Sequence, residues 1–149
     1  SPTTMGIYLA FPSLGYVLGN ILISKIANRV STKTLMIIGS FVLLLGPLSS
    51  LILSHFFFHP LSFFLPILIM TFGSGIIWPA SNAEIVKAVP HLAGSASGLG
   101  SAIMTLMSSF AAFLTGFYIE NLNPIDFVCY FLISVGLLSF LSSLLTKSK

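Results

Sequence analysis

The sequence contains very few charged side chains. Only 6% of its 149 residues are Asp, Glu, Lys or Arg, whereas a soluble domain averages about 25%. Six basic and three acidic side chains cannot cover the surface of a water-soluble domain of this size. Together with the 56% of hydrophobic residues, this shortage excludes a soluble globular domain and predicts a protein whose solvent is lipid.

Residue types that build cross-links, metal centres and active sites are also scarce. A single cysteine, Cys129, excludes a disulfide framework and a cluster of thiolate metal ligands. His55 and His59 are four residues apart without a third ligand near them, so we expect interfacial side chains and no bound metal. The sequence has no nucleophile elbow, phosphate-binding glycine loop or metal-ligand cluster. We therefore predict that the protein is not an enzyme and holds no cofactor.

Long uncharged segments fill almost the whole chain. A transmembrane helix needs about 20 apolar residues, and an outer-membrane strand needs about ten with strict alternation, which is absent here. The segments predict one transmembrane domain over residues 1–149, an all-α polytopic bundle with five spans. We expect these spans at about 4–26, 34–54, 61–85, 93–119 and 125–146.

The basic residues lie on alternate connections between the spans. Five crossings bring all of them to one face of the membrane, which the positive-inside rule identifies as cytoplasmic. The C-terminus is then cytoplasmic as well. Because the cations are spread over three places, they form no basic stripe, and we expect no nucleic-acid partner. The six residues are Lys25, Arg29, Lys33, Lys87, Lys147 and Lys149.

A basic turn joins the first two spans. Gly15 and Gly19 lie in the first span, and Arg29 and Lys33 surround the turn that follows it. This arrangement resembles the glycine-and-arginine cytoplasmic loop motif of the major facilitator superfamily, in the weaker form of its C-terminal half. The family usually has glycine where this chain has Ser31.

A second resemblance covers the third and fourth spans. The segments 73–83 and 93–100 look like helices ten and eleven of multidrug efflux members, above all the bicyclomycin and chloramphenicol exporters. The whole chain thus resembles helices eight to twelve of a twelve-helix transporter. This resemblance implies a secondary active transporter of the bacterial inner membrane, a proton-driven antiporter that exports small amphiphilic organic molecules. It also implies a missing N-terminal half, so we expect this fragment to be inactive alone.

Four side chains are expected to border the transport pathway. In the resembled family the first and third of these spans lie beside the central pathway, where Tyr8, Phe11, Trp78 and Asn82 supply aromatic and amide groups. No charged residue lies near the middle of a span, so a proton-coupling carboxylate is expected in the missing part.

The fourth span begins with small residues at a four-residue spacing. Gly94 and Gly98 form one such pair, and Ala96 and Gly100 form another. Small residues at this spacing give a flat helix face against which a neighbouring helix can pack. We therefore predict a helix-packing surface at Gly94, Gly98 and Gly100.

Two other functions fit the same sequence. A structural or assembly subunit of a membrane complex would use the polar positions in the spans as helix contacts and would need no cavity. A nutrient uptake carrier would have the same architecture as an exporter, because the sequence does not fix the direction of transport. Membrane lipid is a partner in every case.

Overall fold

The structure, a computed structural model, describes residues 2–56, 59–118 and 124–145. Within them, five helices are long and apolar enough to cross a membrane, which confirms the predicted all-α bundle of five spans. The predicted span ends at 119 and 146 lie outside the described residues. The helices are α1 (Pro2–Ile26), α2 (Thr32–Phe56), α3 (Leu61–Ala88), α4 (Ala93–Tyr118) and α5 (Pro124–Leu145), with a 3-10 turn at Pro90–Leu92.

Local polar contacts fix where the helices begin and end. Ser31 Oγ accepts a hydrogen bond from the backbone N–H of Thr34 at 3.2 Å, which caps the start of α2. His59 Nδ1 accepts one from the backbone N–H of Leu61 at 3.2 Å, at the start of α3. Pro90 follows the end of α3 and supplies no N–H with which the helix could continue.

Helix α3 lies between α1 and α2. A Cβ at Gly73 would lie 2.5 Å from the backbone nitrogen of Leu43 in α2. A Cβ at Gly75 would collide with the backbone oxygen of Tyr16 in α1. Two residues rotate about 200° around a helix, so the two glycines face opposite directions. The neighbours α1 and α2 therefore occupy opposite sides of α3.

The contact between α1 and α3 is made by the backbones themselves. A Cβ at Gly15 would collide with the backbone oxygen of Leu68, and one at Gly19 with that of Phe72. Lipid provides no hydrophobic force between helices, so transmembrane helices associate where small residues let their backbones approach. Gly15 and Gly19, predicted as part of the loop motif, lie within α1 at this contact.

Helix α5 packs along α2 through small residues seven positions apart. Ser143 Oγ lies 3.1 Å from Ser40 Oγ, and Cys129 Sγ donates to Ser50 Oγ at 3.7 Å. Between these two contacts, Gly136 leaves room for a leucine side chain of α2. All four polar side chains are buried, and each has its partner across the interface. This pairing satisfies groups that would be costly to leave unbonded away from water.

Helix α4 is held much less firmly than the others. It touches α3 only slightly, and none of its described side chains is buried. Gly100 is its one glycine with a neighbour among the described residues, the Cδ1 atom of Ile85, 3.7 Å from where a Cβ would stand. A Cβ at Gly94 or Gly98 would have no described heavy atom within 4 Å. That this face packs against another helix stays a prediction.

The helices alternate in direction, which sorts the charges by end. Lys25 lies in the last turn of α1, Lys33 in the first turn of α2 and Lys87 in the last turn of α3. Lys87 Nζ donates to Thr32 Oγ1 at 3.1 Å, so these helix ends lie at one level. We call this the basic end. Asp126, in the first turn of α5, lies at the other end, and Lys147 and Lys149 lie outside the described residues.

The glycine contacts of α3 predict different costs for two similar substitutions. Gly75→Leu places a side chain where the backbone of α1 lies, so we expect at least about 3 kcal/mol of destabilisation or loss of folding. Gly98→Leu enters open space in the isolated chain, and we expect no loss of stability. Unfolding by SDS in mixed micelles, followed through Trp78 fluorescence, measures both. Equal SDS midpoints for the two variants would contradict the close α1–α3 contact.

Candidate transport pathway

A row of half-buried residues on α3 faces α4. Ser74, Trp78, Ser81 and Ile85 are spaced by four, three and four positions, which places them on one face of the helix. The last of them, Ile85, is the residue next to Gly100 of α4. The row therefore runs along the side of α3 on which α4 lies.

Over the first half of α3, the opposite side is apolar and exposed at Leu65 and Ile69, which are 50% and 40% exposed. These fractions are typical of side chains in contact with lipid in a membrane-spanning helix. Farther along the same side, Ile76 and Ala80 are each 2% exposed and belong to the core. Helix α3 thus has a lipid-exposed side in its first half and, facing α4, a polar side that carries the tryptophan.

Helix α4 presents a row of hydroxyl groups. Ser97, Ser101, Thr105 and Ser108 follow one another at spacings of four, four and three residues, again on one face. The hydroxyls of Ser101, Thr105 and Ser108 donate to backbone oxygens of the preceding turn at 2.9 to 3.0 Å. Since a hydroxyl has one donor and two acceptor lone pairs, these groups keep acceptor capacity on the helix surface.

The most exposed large side chains of α4 lie on the other side of the helix from the hydroxyls. Leu99, Leu106 and Phe113 are 64%, 70% and 67% exposed. Met104, 46% exposed, is the large apolar side chain next to the hydroxyl row. One side of α4 therefore suits lipid, and the other suits a protein neighbour or polar solute.

The four predicted pathway residues lie at two depths. The Tyr8 ring stacks on the Phe64 ring, with centroids 5.3 Å apart and an interplanar angle of 10°. Trp78 lies fourteen residues beyond Phe64 on the same helix, roughly 20 Å farther along its axis. Tyr8 and Phe11 of α1 thus lie far along the helix axis from Trp78 and Asn82 of α3. The structure does not bring these two pairs of residues together into one site. Phe11, Trp78 and Asn82 are all half-buried.

Sequence reasoning missed Phe64 as the partner of Tyr8. The chain has 14 phenylalanines, and no local pattern distinguishes the one that stacks. The pairing follows from the parallel α1–α3 contact, which places the two rings at one level. Phe63 adds an edge-on contact to Phe64, with centroids 5.5 Å apart.

The basic end holds an ion pair between two residues of α3. Lys87 Nζ lies 3.1 Å from Glu84 Oε1, three residues earlier in the same helix. The two side chains are 64% and 43% exposed, so the pair contributes at most about 1 kcal/mol. Its structural effect is to hold the end of α3 beside Thr32 at the start of α2.

The chemistry of the pathway side is uncharged. Among the described residues the carboxylates are Glu84 and Asp126, each near a helix end. The same residues contain no group of three or more side chains that could hold a metal ion. What α3 and α4 offer between their ends is an indole ring, hydroxyl groups and a carboxamide, which bind by stacking and hydrogen bonding.

A family model described as Major Facilitator Superfamily matches residues 1–148. The chain belongs to the Major Facilitator Superfamily. A search of the curated proteins and a search of the solved structures found no match. Membership in this superfamily identifies an integral membrane transporter, with five apolar helices in contact with lipid. Major facilitator transporters bind small substrates and are generally not enzymes.

The two sides of α3 predict different exposure to lipid chains. In bilayers that contain lipids brominated at two depths, we expect the fluorescence of Trp78, the single tryptophan, to be quenched less than that of a tryptophan at position 69. The comparison uses Trp78→Phe combined with Ile69→Trp, which moves the indole to the exposed side. Equal quenching at both depths would show that the polar row of α3 faces lipid.

Proposed function

We propose that this chain forms helices eight to twelve of a twelve-helix multidrug exporter. The exporter works as a proton antiporter for small amphiphilic organic molecules in a bacterial inner membrane. The observation that supports this function best is the uncharged polar side of α3, which carries Trp78, together with the exposed hydroxyl face of α4.

The groups on this side favour aromatic and amphiphilic substrates. An indole ring offers a large flat apolar surface for stacking. The hydroxyls of Ser101, Thr105 and Ser108 offer lone pairs to N–H or O–H groups of a bound molecule. Phosphorylated or strongly anionic substrates need cations in the pathway, and the described part of α3 and α4 has its cations at the basic end.

Proton coupling requires an ionisable group within the membrane. The described carboxylates, Glu84 and Asp126, lie near helix ends, where they serve as poor proton carriers across the bilayer midplane. The proposal therefore assigns the coupling carboxylate to the N-terminal half of the exporter. Transport then follows from rocking of the two halves around a site near the midplane.

The surface of α4 supports the presence of that other half. Its glycine and hydroxyl side is open at Gly94, Gly98, Ser101 and Thr105. Lipid chains form no hydrogen bonds with hydroxyl groups, whereas a helix with small residues can approach such a face closely. We assign this side of α4 to the contact with the N-terminal half and the aqueous pathway between the halves.

The distribution of charge supports one orientation. Lys25, Arg29, Lys33 and Lys87 lie at the basic end, and the positive-inside rule assigns such an end to the cytoplasm. Because α5 runs towards the basic end, the C-terminus is cytoplasmic in this proposal.

Transport by the chain alone is the first test. We expect liposomes that contain only these 149 residues to show no gradient-driven flux of a fluorescent efflux substrate, because one half of the pathway wall is absent. The full-length parent in the same liposomes serves as the positive control. Robust flux through the short chain would contradict its assignment as part of a larger transporter.

Substitution of the tryptophan in the full-length parent tests the pathway itself. We expect Trp78→Ala to weaken the binding of aromatic substrates about tenfold, which corresponds to about 1.4 kcal/mol, with unchanged abundance in the membrane. Ile69→Ala, on the lipid side of the same helix, is the matched control and should leave binding unchanged. Reduced abundance of Trp78→Ala with normal substrate affinity would indicate a structural subunit and contradict the proposal.

A further inference from the structure

Three cations surround the connection between α1 and α2. Lys25 lies in the last turn of α1, Arg29 in the connection and Lys33 in the first turn of α2, at intervals of four residues. The connection spans only residues 27–31, so these charges are confined to one short segment. Lys25 and Arg29 are exposed, and Lys33 is half-buried.

No carboxylate balances these charges in the described part of the chain. Glu84 is the described acidic residue at this end, and its carboxylate already bonds Lys87 at 3.1 Å. Asp126 lies at the opposite end of the bundle. The connection therefore has an excess of about three positive charges.

Lys33 lies where a cation is least favourable by itself. The start of a helix carries a partial positive charge from its unpaired N–H groups, so it favours an anion and disfavours a cation. The first turn of α2 contains no acidic residue of its own, and the carboxylate that reaches Thr32, that of Glu84, is already paired with Lys87. The capping oxygen of Ser31 satisfies the N–H of Thr34 but adds no negative charge. An external anion would relieve the repulsion at this point.

The position of Lys25, Arg29 and Lys33 along the helices indicates which anion can reach them. Leu22 and Ile38, which are 37% and 47% exposed, are apolar side chains on the surface of α1 and α2, three and five residues from Lys25 and Lys33. The cations are thus about one helical turn from the lipid-exposed apolar surface of the bundle, where lipid phosphates are expected. We propose that Lys25, Arg29 and Lys33 form a binding site for the headgroup of an anionic phospholipid. This site does not depend on the proposed function.

Lipid titration of the purified chain tests the proposal. In micelles of an uncharged detergent, native mass spectrometry measures the occupancy of phosphatidylglycerol and of phosphatidylcholine. A cation near the membrane surface contributes about 1 kcal/mol to binding of anionic lipid, which is about fivefold in affinity. We expect wild-type protein to prefer phosphatidylglycerol and Arg29→Gln/Lys33→Gln to bind it about 25-fold more weakly. Phosphatidylcholine binding should not change.

A matched variant separates a local site from a general effect of net charge. Lys147→Gln/Lys149→Gln also removes two positive charges, and we expect it to weaken phosphatidylglycerol binding less than about threefold. An equal loss in the two double variants would overturn the proposal, as would equal affinity of the wild-type chain for the two lipids.

Two further measurements keep the test independent of how the variants fold. Raising the salt concentration from about 0.1 M to about 1 M shortens the screening length from about 10 Å to about 3 Å, so the wild-type preference should fall steeply. An unchanged preference in high salt would contradict an electrostatic headgroup site. Inorganic phosphate at millimolar concentration should not displace the lipid, and full displacement would identify a site for soluble anions instead.

Discussion

The close approach of backbones at the glycines of α3 is the constraint on which the arrangement depends. In lipid, helices gain nothing from hiding apolar surface, so their association rests on van der Waals contact and a few polar bonds. Gly73 and Gly75 allow that contact on two opposite sides of one helix. With α1 and α2 fixed there, only two sides of α3 remain free. One carries Leu65 and Ile69 and suits lipid, and the other carries Trp78 and suits α4.

The bundle therefore divides into four helices with close contacts and one helix, α4, with few contacts. Helices α1, α3, α2 and α5 form a continuous layer, held by glycine contacts on α3 and by the buried pairs Ser40–Ser143 and Ser50–Cys129 between α2 and α5. Helix α4 touches this layer through Gly100 and little else. The polar side of α3, which carries Trp78, lies at this weaker junction.

The sequence predicts the spans and the sorting of charge, because both depend on the solvent. Apolar segments of this length are stable only across the bilayer. Lys33 and Lys87, which lie on alternate connections in the sequence, come to one end of the bundle. The sequence does not predict which helices touch, because every span also has apolar residues that suit lipid as well as a neighbouring helix. Small residues at a four-residue spacing indicate a packing face, but they do not indicate which helix packs against it. Gly94 and Gly98 have this spacing and no described neighbour within reach of a Cβ, whereas Gly15 and Gly19, also four apart, meet the backbone of α3. Gly73 and Gly75, only two apart, make equally close contacts with two different helices.

For the candidate site, the sequence identifies suitable chemistry but not its grouping. Trp78 and Asn82 stand out because polar side chains are rare in membrane helices. The separation of Trp78 from Tyr8 by roughly 20 Å follows from the level at which α1 crosses α3, and Gly15 and Gly19 lie at that crossing. The sequence gives the type of each residue directly. The depth of that residue in the membrane relative to a residue on another helix depends on contacts between residues that are distant in the sequence.

The position of α3 has a consequence for how the protein is made. Of these five helices, α1 and α2 are synthesised before α3 and are joined by the short connection 27–31. In the finished bundle each of them packs against α3 far more than against the other. The hairpin of α1 and α2 therefore lacks its main packing partner until α3 has entered the membrane.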